Sequence, residues 1–353
     1  MRILHYVDEN NLAWVEPWIQ LLKELSKLGV ENHVLCRDGG SLTERLKENS
    51  IPFFHSTPYF QWAPWLARDV GRVIDAVKPD IIHTRLSSAA RLGGYWGNKK
   101  RIPVVSTVDK YPKAKYYRNA GLIIGCSSAV TSHMRSLGFH EGLLRTVLNP
   151  VLMDRYVRQA AVRESHRASL GVSADEFVII GMGRLVDWKA WDDYLRAIAL
   201  VPAALKCRFW LVGSGDEERK LVKLASDLDI SDRVTFFPFM KDVRPWLWAS
   251  DLFIQTSKKP EGFSLMLIEA MASGVVPIAT NIGGTLDIIE DGVNGFMFSP
   301  RDYAGLARIM ENVLDRNLIA AAAPKAVASA SKVSISNIAQ DTLSIYREVL
   351  HEN

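Results

Sequence analysis

Glu261 and Glu269 flank a glycine, a serine and the start of an apolar helix in the stretch Pro260-Glu-Gly-Phe-Ser-Leu-Met-Leu-Ile-Glu-Ala-Met-Ala-Ser-Gly274. Core packing does not ask for two carboxylates there, whereas a ligand carrying sugar hydroxyls and phosphates does. Gly262 permits close backbone approach, and Ser264 is a good N-cap for the helix that follows. The free N–H groups of that helix start can receive phosphate oxygens. The helix is apolar on nearly every side, so a Glu269 carboxylate within it needs partners, and ribose hydroxyls would supply them. The alternative for Glu269 is an ordinary exposed helix carboxylate.

Such residues need a frame that carries several strand ends to one edge. Strand-like runs at 2–7, 33–36, 80–83, 104–108 and 122–126 alternate with helical patterns at 15–28, 41–49, 66–77 and 127–137. After a polar, Arg-rich connector at 154–169 the alternation restarts. Strands are expected at 178–182, 209–212, 234–236, 252–255 and 276–279, and helices at 191–200, 216–228, 243–249 and 265–272. Alternation of this kind implies parallel strands with crossover helices. The expected architecture is α/β, with two Rossmann-like doubly wound domains in tandem and a ligand cleft between their carboxyl edges. The domains are expected at 1–155 and 156–333, with an amphipathic helix at 334–353 crossing back to the first.

Bulk properties agree with a globular soluble protein of two domains. The chain has 353 residues, too many for one ordinary core. No apolar run approaches the roughly 18–20 residues of a membrane span, and the amino terminus lacks a signal-peptide pattern. Cys36, Cys126 and Cys207 lie far apart and read as buried thiols in a reducing compartment. The expected location is cytoplasmic, with peripheral contact on the inner face of the plasma membrane. Residues 1–150 hold 20 Lys+Arg against 13 Asp+Glu, whereas the remainder holds 23 against 26. Seven of the basic residues fall within 99–118, interleaved with or adjoining Trp96, Tyr111, Tyr116 and Tyr117. That mixture reads either as a solvated face or as a surface for anionic lipid headgroups or an acidic acceptor. No nucleic-acid-binding module accompanies it. Phe60, Trp62, Pro64 and Trp65 read as core or crevice packing, with an interfacial contact or a sugar-stacking platform as the sharper alternative.

The Glu261–Glu269 segment resembles the E-x7-E region of glycosyltransferase family 4, retaining enzymes of the GT-B fold. Gly183-Arg-Leu-Val-Asp-Trp-Lys189, Leu211-Val-Gly-Ser-Gly-Asp216, Arg233-Val-Thr-Phe-Phe-Pro-Phe239, Thr280-Asn-Ile-Gly-Gly284 and Asp291-Gly-Val-Asn-Gly295 follow the family's order and spacing. The resemblance implies that Arg184 and Lys189 neutralise a donor pyrophosphate and its leaving nucleoside diphosphate. A forked guanidinium beside a point-charge ammonium suits that task. It also implies that Glu269 holds ribose hydroxyls and Glu261 holds donor-sugar hydroxyls. Gly183, Gly213, Phe239, Gly262, Phe263, Ser264 and Leu265 would line the donor site. With two cations and no Asp-x-Asp loop, neither a metal nor another cofactor is expected.

The amino-terminal half departs from the family pattern. Its first loop reads Asp8-Glu-Asn-Asn-Leu-Ala-Trp14 where a Gly-Gly loop is common, and Asp109 stands where histidine is common. Asp109 would either bond a sugar hydroxyl or accept the acceptor's proton, or else cap the next turn or pair with Lys110. Asn10, Asn11, Trp14, Arg85 and Lys110 are the acceptor-site candidates, and His83 reads as a structural histidine. The resemblance implies a retaining, metal-independent glycosyltransferase. It would use a UDP-sugar, or a GDP-sugar as second choice, and a glycan or lipid-linked acceptor in bacterial cell-surface polysaccharide or lipopolysaccharide synthesis. The alternatives are a nucleotide-sugar epimerase or phosphorylase of the same fold and a non-catalytic nucleotide-sugar-binding protein. The absence of Gly-x-Gly-x-x-Gly after the first strand argues against a nicotinamide-dependent dehydrogenase.

Overall fold

The computed structural model describes residues 1–12, 14–58, 60 and 62–351. Ala13 of the first loop and the last two residues of the expected terminal helix, Glu352 and Asn353, therefore lie outside the described residues. The chain forms two compact units, Met1–Pro150 with Val333–Asn353, and Val151–Lys332.

The first unit contains β1 (Arg2–Val7), α1 (Val15–Lys27), β2 (Glu31–Cys36), α2 (Gly40–Glu48), β3 (Phe53–His55), α3 (Arg68–Val77), β4 (Ile81–Arg85), α4 (Ser87–Lys100), β5 (Val104–Val108), β6 (Leu122–Gly125), α5 (Ser128–Ser136) and β7 (Leu144–Thr146). Its sheet is parallel throughout, in the order β3-β2-β1-β4-β5-β6-β7. One core cluster gathers Leu4, Tyr6, Leu35, Ile82 and Val104 from the sheet with Val70, Ile74, Leu92 and Trp96 from α3 and α4. Helix α4 is not among the expected elements, and it carries Gly93, Gly94 and Gly97. They are packing positions: a Cβ at Gly97 would lie 2.3 Å from the Val104 side chain.

The second unit contains α6 (Met153–Tyr156), α7 (Ala160–Ser169), β8 (Phe177–Met182), α8 (Trp191–Leu200), β9 (Cys207–Val212), α9 (Glu218–Asp227), β10 (Val234–Phe237), α10 (Arg244–Ala249), β11 (Leu252–Gln255), α11 (Leu265–Ala272), β12 (Val276–Thr280), β13 (Phe296–Phe298), α12 (Tyr303–Val313) and α13 (Arg316–Ser331). Its parallel sheet runs β10-β9-β8-β11-β12-β13. The second unit starts at Val151, five residues before the expected 156, and Tyr156 is anchored in it by its carbonyl, which accepts from Trp248 Nε1 at 3.0 Å. The Arg-rich connector is α7, whose Arg163 and Arg167 donate to Asp251 and to the last carbonyls of α10.

The last helix, α14 (Ile335–His351), belongs to the first unit and packs along α1. It buries Ile338, Leu343, Ile345, Tyr346 and Val349.

Candidate functional site

In a doubly wound sheet, ligands sit beyond the carboxyl ends of the strands, where the strand order reverses. In the second unit that point lies between β8 and β11, which are paired with Ile254 opposite Gly181. Their outgoing loops are tied together: Thr256 Oγ1 donates to the Lys189 carbonyl at 2.7 Å, and Lys258 N to the Trp188 carbonyl at 3.0 Å. Glycines make this crossing. A Cβ at Gly213 would lie 1.9 Å from the Gly183 carbonyl oxygen, and one at Gly283 would lie 2.4 Å from the Glu261 carbonyl oxygen.

Lys189 Nζ donates to Glu261 Oε1 at 2.7 Å, and Ser257 Oγ reaches the same oxygen at 2.5 Å. The two residues that the resemblance assigns to phosphate and sugar are thus ion-paired with each other. Trp188 lies beside both cations, 5.6 Å from the Arg184 guanidinium carbon and 4.8 Å from Lys189 Nζ. Arg184 itself is exposed. Ser264 caps α11 by accepting from Leu267 N at 3.4 Å, and Gly262, Phe263 and Leu265 surround that helix start. Gly213 N bonds the Phe237 carbonyl at 2.9 Å, and Phe239, just beyond β10, is 70 % exposed.

Glu269 is a half-buried carboxylate on α11 rather than an exposed one. Burial pushes its pKa up to about 7, against the opposing hydrogen bond from the Tyr156 hydroxyl and the charge of Arg155. Tyr156 and Trp188 were not among the sequence candidates. Trp188 sits inside the Gly183–Lys189 motif, where an aromatic between two cations is a usable signal. Nothing local to Tyr156 points to Glu269.

The amino-terminal candidates are largely committed to structure. Arg85 Nε and Nη2 donate to the Asp109 carboxylate at 2.8 and 2.5 Å, and Nη2 also reaches Asn149 Oδ1 at 2.6 Å. The Trp14 ring stacks on this guanidinium at 4.0 Å. Asp109 therefore pairs with Arg85, not with the exposed Lys110, and Arg85 is buried rather than presented to an acceptor. Asn11 Oδ1 accepts from Ser41 N at 3.0 Å, and the Asn10 carbonyl from Leu42 N at 3.0 Å, so both serve the start of α2. His83 is a structural residue, held by Tyr346 at 2.5 Å and Thr107 at 2.8 Å, and burial lowers its pKa. Trp96 and Tyr117 are buried, whereas Trp62 and Trp65 are exposed, the reverse of the expected packing. Among the described residues, no cluster of three or more His, Cys, Asp or Glu side chains could hold a metal ion.

Two parallel doubly wound units, one carrying a carboxylate–cation cluster at its switch point, define a glycosyltransferase of the GT-B class. Residues 162–330 match the family model described as glycosyl transferases group 1, and residues 18–155 match the model for glycosyltransferase family 4. The chain is 30% identical over 319 residues to the lipopolysaccharide core biosynthesis glycosyltransferase LpsE of Rhizobium meliloti, covering 90% of each. It is 26% identical over 318 residues to LpsD of the same organism, covering 89% of this chain and 88% of LpsD. Among solved structures, Anabaena HepE in complex with UDP-glucose superimposes with a TM-score of 0.83 at 25% identity, covering 100% of both chains. The chain belongs to glycosyltransferase family 4.

Proposed function

We propose that this glycosyltransferase moves a sugar from a UDP-sugar to a hydroxyl of a lipopolysaccharide-type or other lipid-linked glycan, with retention at the anomeric carbon. The observation that carries the reading is the convergence of Arg184, Lys189, Glu261, Glu269 and the α11 amino terminus at one sheet edge. A diphosphate brings negative charge that Arg184, Lys189 and the helix N–H groups can neutralise without a metal. Lys189 then divides its contacts between phosphate and Glu261, and the Glu261 carboxylate accepts from sugar hydroxyls. Glu269 accepts from the ribose diol. The leaving phosphate takes up the acceptor's proton as the new bond forms on the face it vacates. UDP is preferred over GDP because HepE, a relative in fold and sequence, is described with UDP and UDP-glucose. The names of LpsE and LpsD support the acceptor class.

Thermal shift with UDP, GDP, ADP and CMP tests the donor assignment. UDP is expected to raise the melting temperature, and Glu269→Ala to abolish the shift. If no nucleoside diphosphate stabilises the native chain, the reading fails.

A further inference from the structure

Four large apolar side chains stand in solvent within one short stretch of the first unit. Phe60 is 50 %, Trp62 62 %, Trp65 52 % and Leu66 52 % exposed. Single exposed apolar residues are ordinary, but a run of four is a patch that marks an interaction. The backbone at Trp62 and at Pro64–Leu66 is held by named partners. Pro64–Leu66 forms one 3-10 turn, Trp96 Nε1 of α4 donates to the Pro64 carbonyl at 3.0 Å, and Arg91 Nη2 to the Trp62 carbonyl at 2.6 Å. The Trp96 ring fills the space above Gly71 of α3, where a Cβ would meet it at 2.7 Å. Buried Trp96 thus props the strip, while the four side chains above remain unburied.

Cations flank the same strip. Arg68 and Arg72 are exposed and one turn apart on α3, which begins immediately after the strip. Lys99 and Lys100 place their ammonium groups 4.8 and 5.7 Å from the centre of the supporting Trp96 ring. Lys100 also pairs with Asp75, which leaves exposed Lys99 as the more available charge. Tryptophan and phenylalanine beside arginine and lysine is the combination that inserts at the headgroup level of an anionic bilayer. A platform for a soluble glycan would use an aromatic face with hydrogen-bonding side chains and has no need of a cationic rim.

We propose that Phe60, Trp62, Trp65 and Leu66, with Arg68, Arg72 and Lys99, dock the first unit on the surface of an anionic lipid bilayer. This deepens the functional reading and rests on it, because a lipid-linked acceptor would be met at that surface.

Flotation of the full-length protein with vesicles tests the docking. Vesicles of phosphatidylcholine alone are compared with vesicles that also contain phosphatidylglycerol. Native protein is expected to float with the anionic vesicles and to be released by high salt. W62S/W65S should weaken binding by at least about tenfold. R68Q/R72Q/K99Q should weaken it roughly fivefold per cation and remove the preference for phosphatidylglycerol. Both variants should keep the UDP-induced thermal shift, which separates failure of docking from failure of the donor reading. Native protein that does not float with anionic vesicles, or variants that bind as tightly as native, would overturn the proposal. So would a W62S/W65S variant that floats normally but shows a raised KM for a glycan acceptor in free solution.

Discussion

Glu269 shows how one side chain ties burial to ligand binding. Its pKa rises from an ordinary 4.5 to about 7 because burial penalises the charged form. Over that interval the folded chain binds the proton that the unfolded chain releases. The group therefore favours folding at low pH, and its contribution is lost as pH rises through about 7. In the proposed donor site nucleotide binding has the opposite sign, because the carboxylate is the form that would accept from a ribose diol. UDP affinity measured by calorimetry is expected to weaken by up to about tenfold per pH unit below that midpoint. Tyr156→Phe removes a hydrogen bond that holds the pKa down, so the midpoint should move upward, whereas a purely structural tyrosine would lower affinity equally at every pH. Asp109 behaves differently. Its carboxylate already takes two guanidinium N–H groups from buried Arg85, which commits both oxygens to an ion pair. Asp109→Ala would strand that guanidinium, and urea unfolding should register a loss of about 3 kcal/mol. Turnover per folded molecule should change little. The residue types at both sites were legible in the sequence, but their partners were not. Asp109 meets Arg85, and Glu261 meets Lys189, only because parallel strands distant in the chain end side by side.

At the scale of elements, local patterning located most strands, and the misreadings fall where packing overrides propensity. Helix α4, which is not among the expected elements, carries three glycines, and Gly97 lets it lie against β5. Gly97→Ala places a methyl 2.3 Å from Val104 Cγ2 and 3.1 Å from the Ile102 carbonyl oxygen. It should destabilise the chain by about 1–3 kcal/mol in chemical denaturation. Ala190 is the converse case. It ends the Asp187–Lys189 turn at φ 52°, left-handed backbone that glycine adopts without strain, and it directly precedes α8. Ala190→Gly is expected to stabilise the chain by about 0.5–1 kcal/mol, read as a higher denaturation midpoint with UDP binding intact. Short strands such as β3, β7 and β13 carry too few residues to show a period. They become visible only through their pairing with β2, β6 and β12.

For the whole molecule, the return of the chain end to the first unit is the feature with the widest consequence. The amphipathic pattern of the last segment announced a helix but not its seat. That seat is set by tertiary contacts: Tyr346 meets His83 of β4 at 2.5 Å, and Glu348 is paired with Arg145 beyond the start of β7. Tyr346 is fully buried, so Tyr346→Ala opens a cavity against the central strands and should cost about 3–5 kcal/mol. The loss should stay local, because each unit keeps its own apolar cluster, with the second built from residues such as Ile179, Tyr194, Phe209, Ile254 and Met310. Hydrogen exchange on the Tyr346→Ala chain should therefore show faster exchange through α1, β1, β4 and α14. Strands β8 to β12 should stay protected, and UDP should still slow exchange in α11. Equal acceleration in both units would mean that their stabilities are coupled, and that the terminal helix supports the donor site as well as the unit into which it folds.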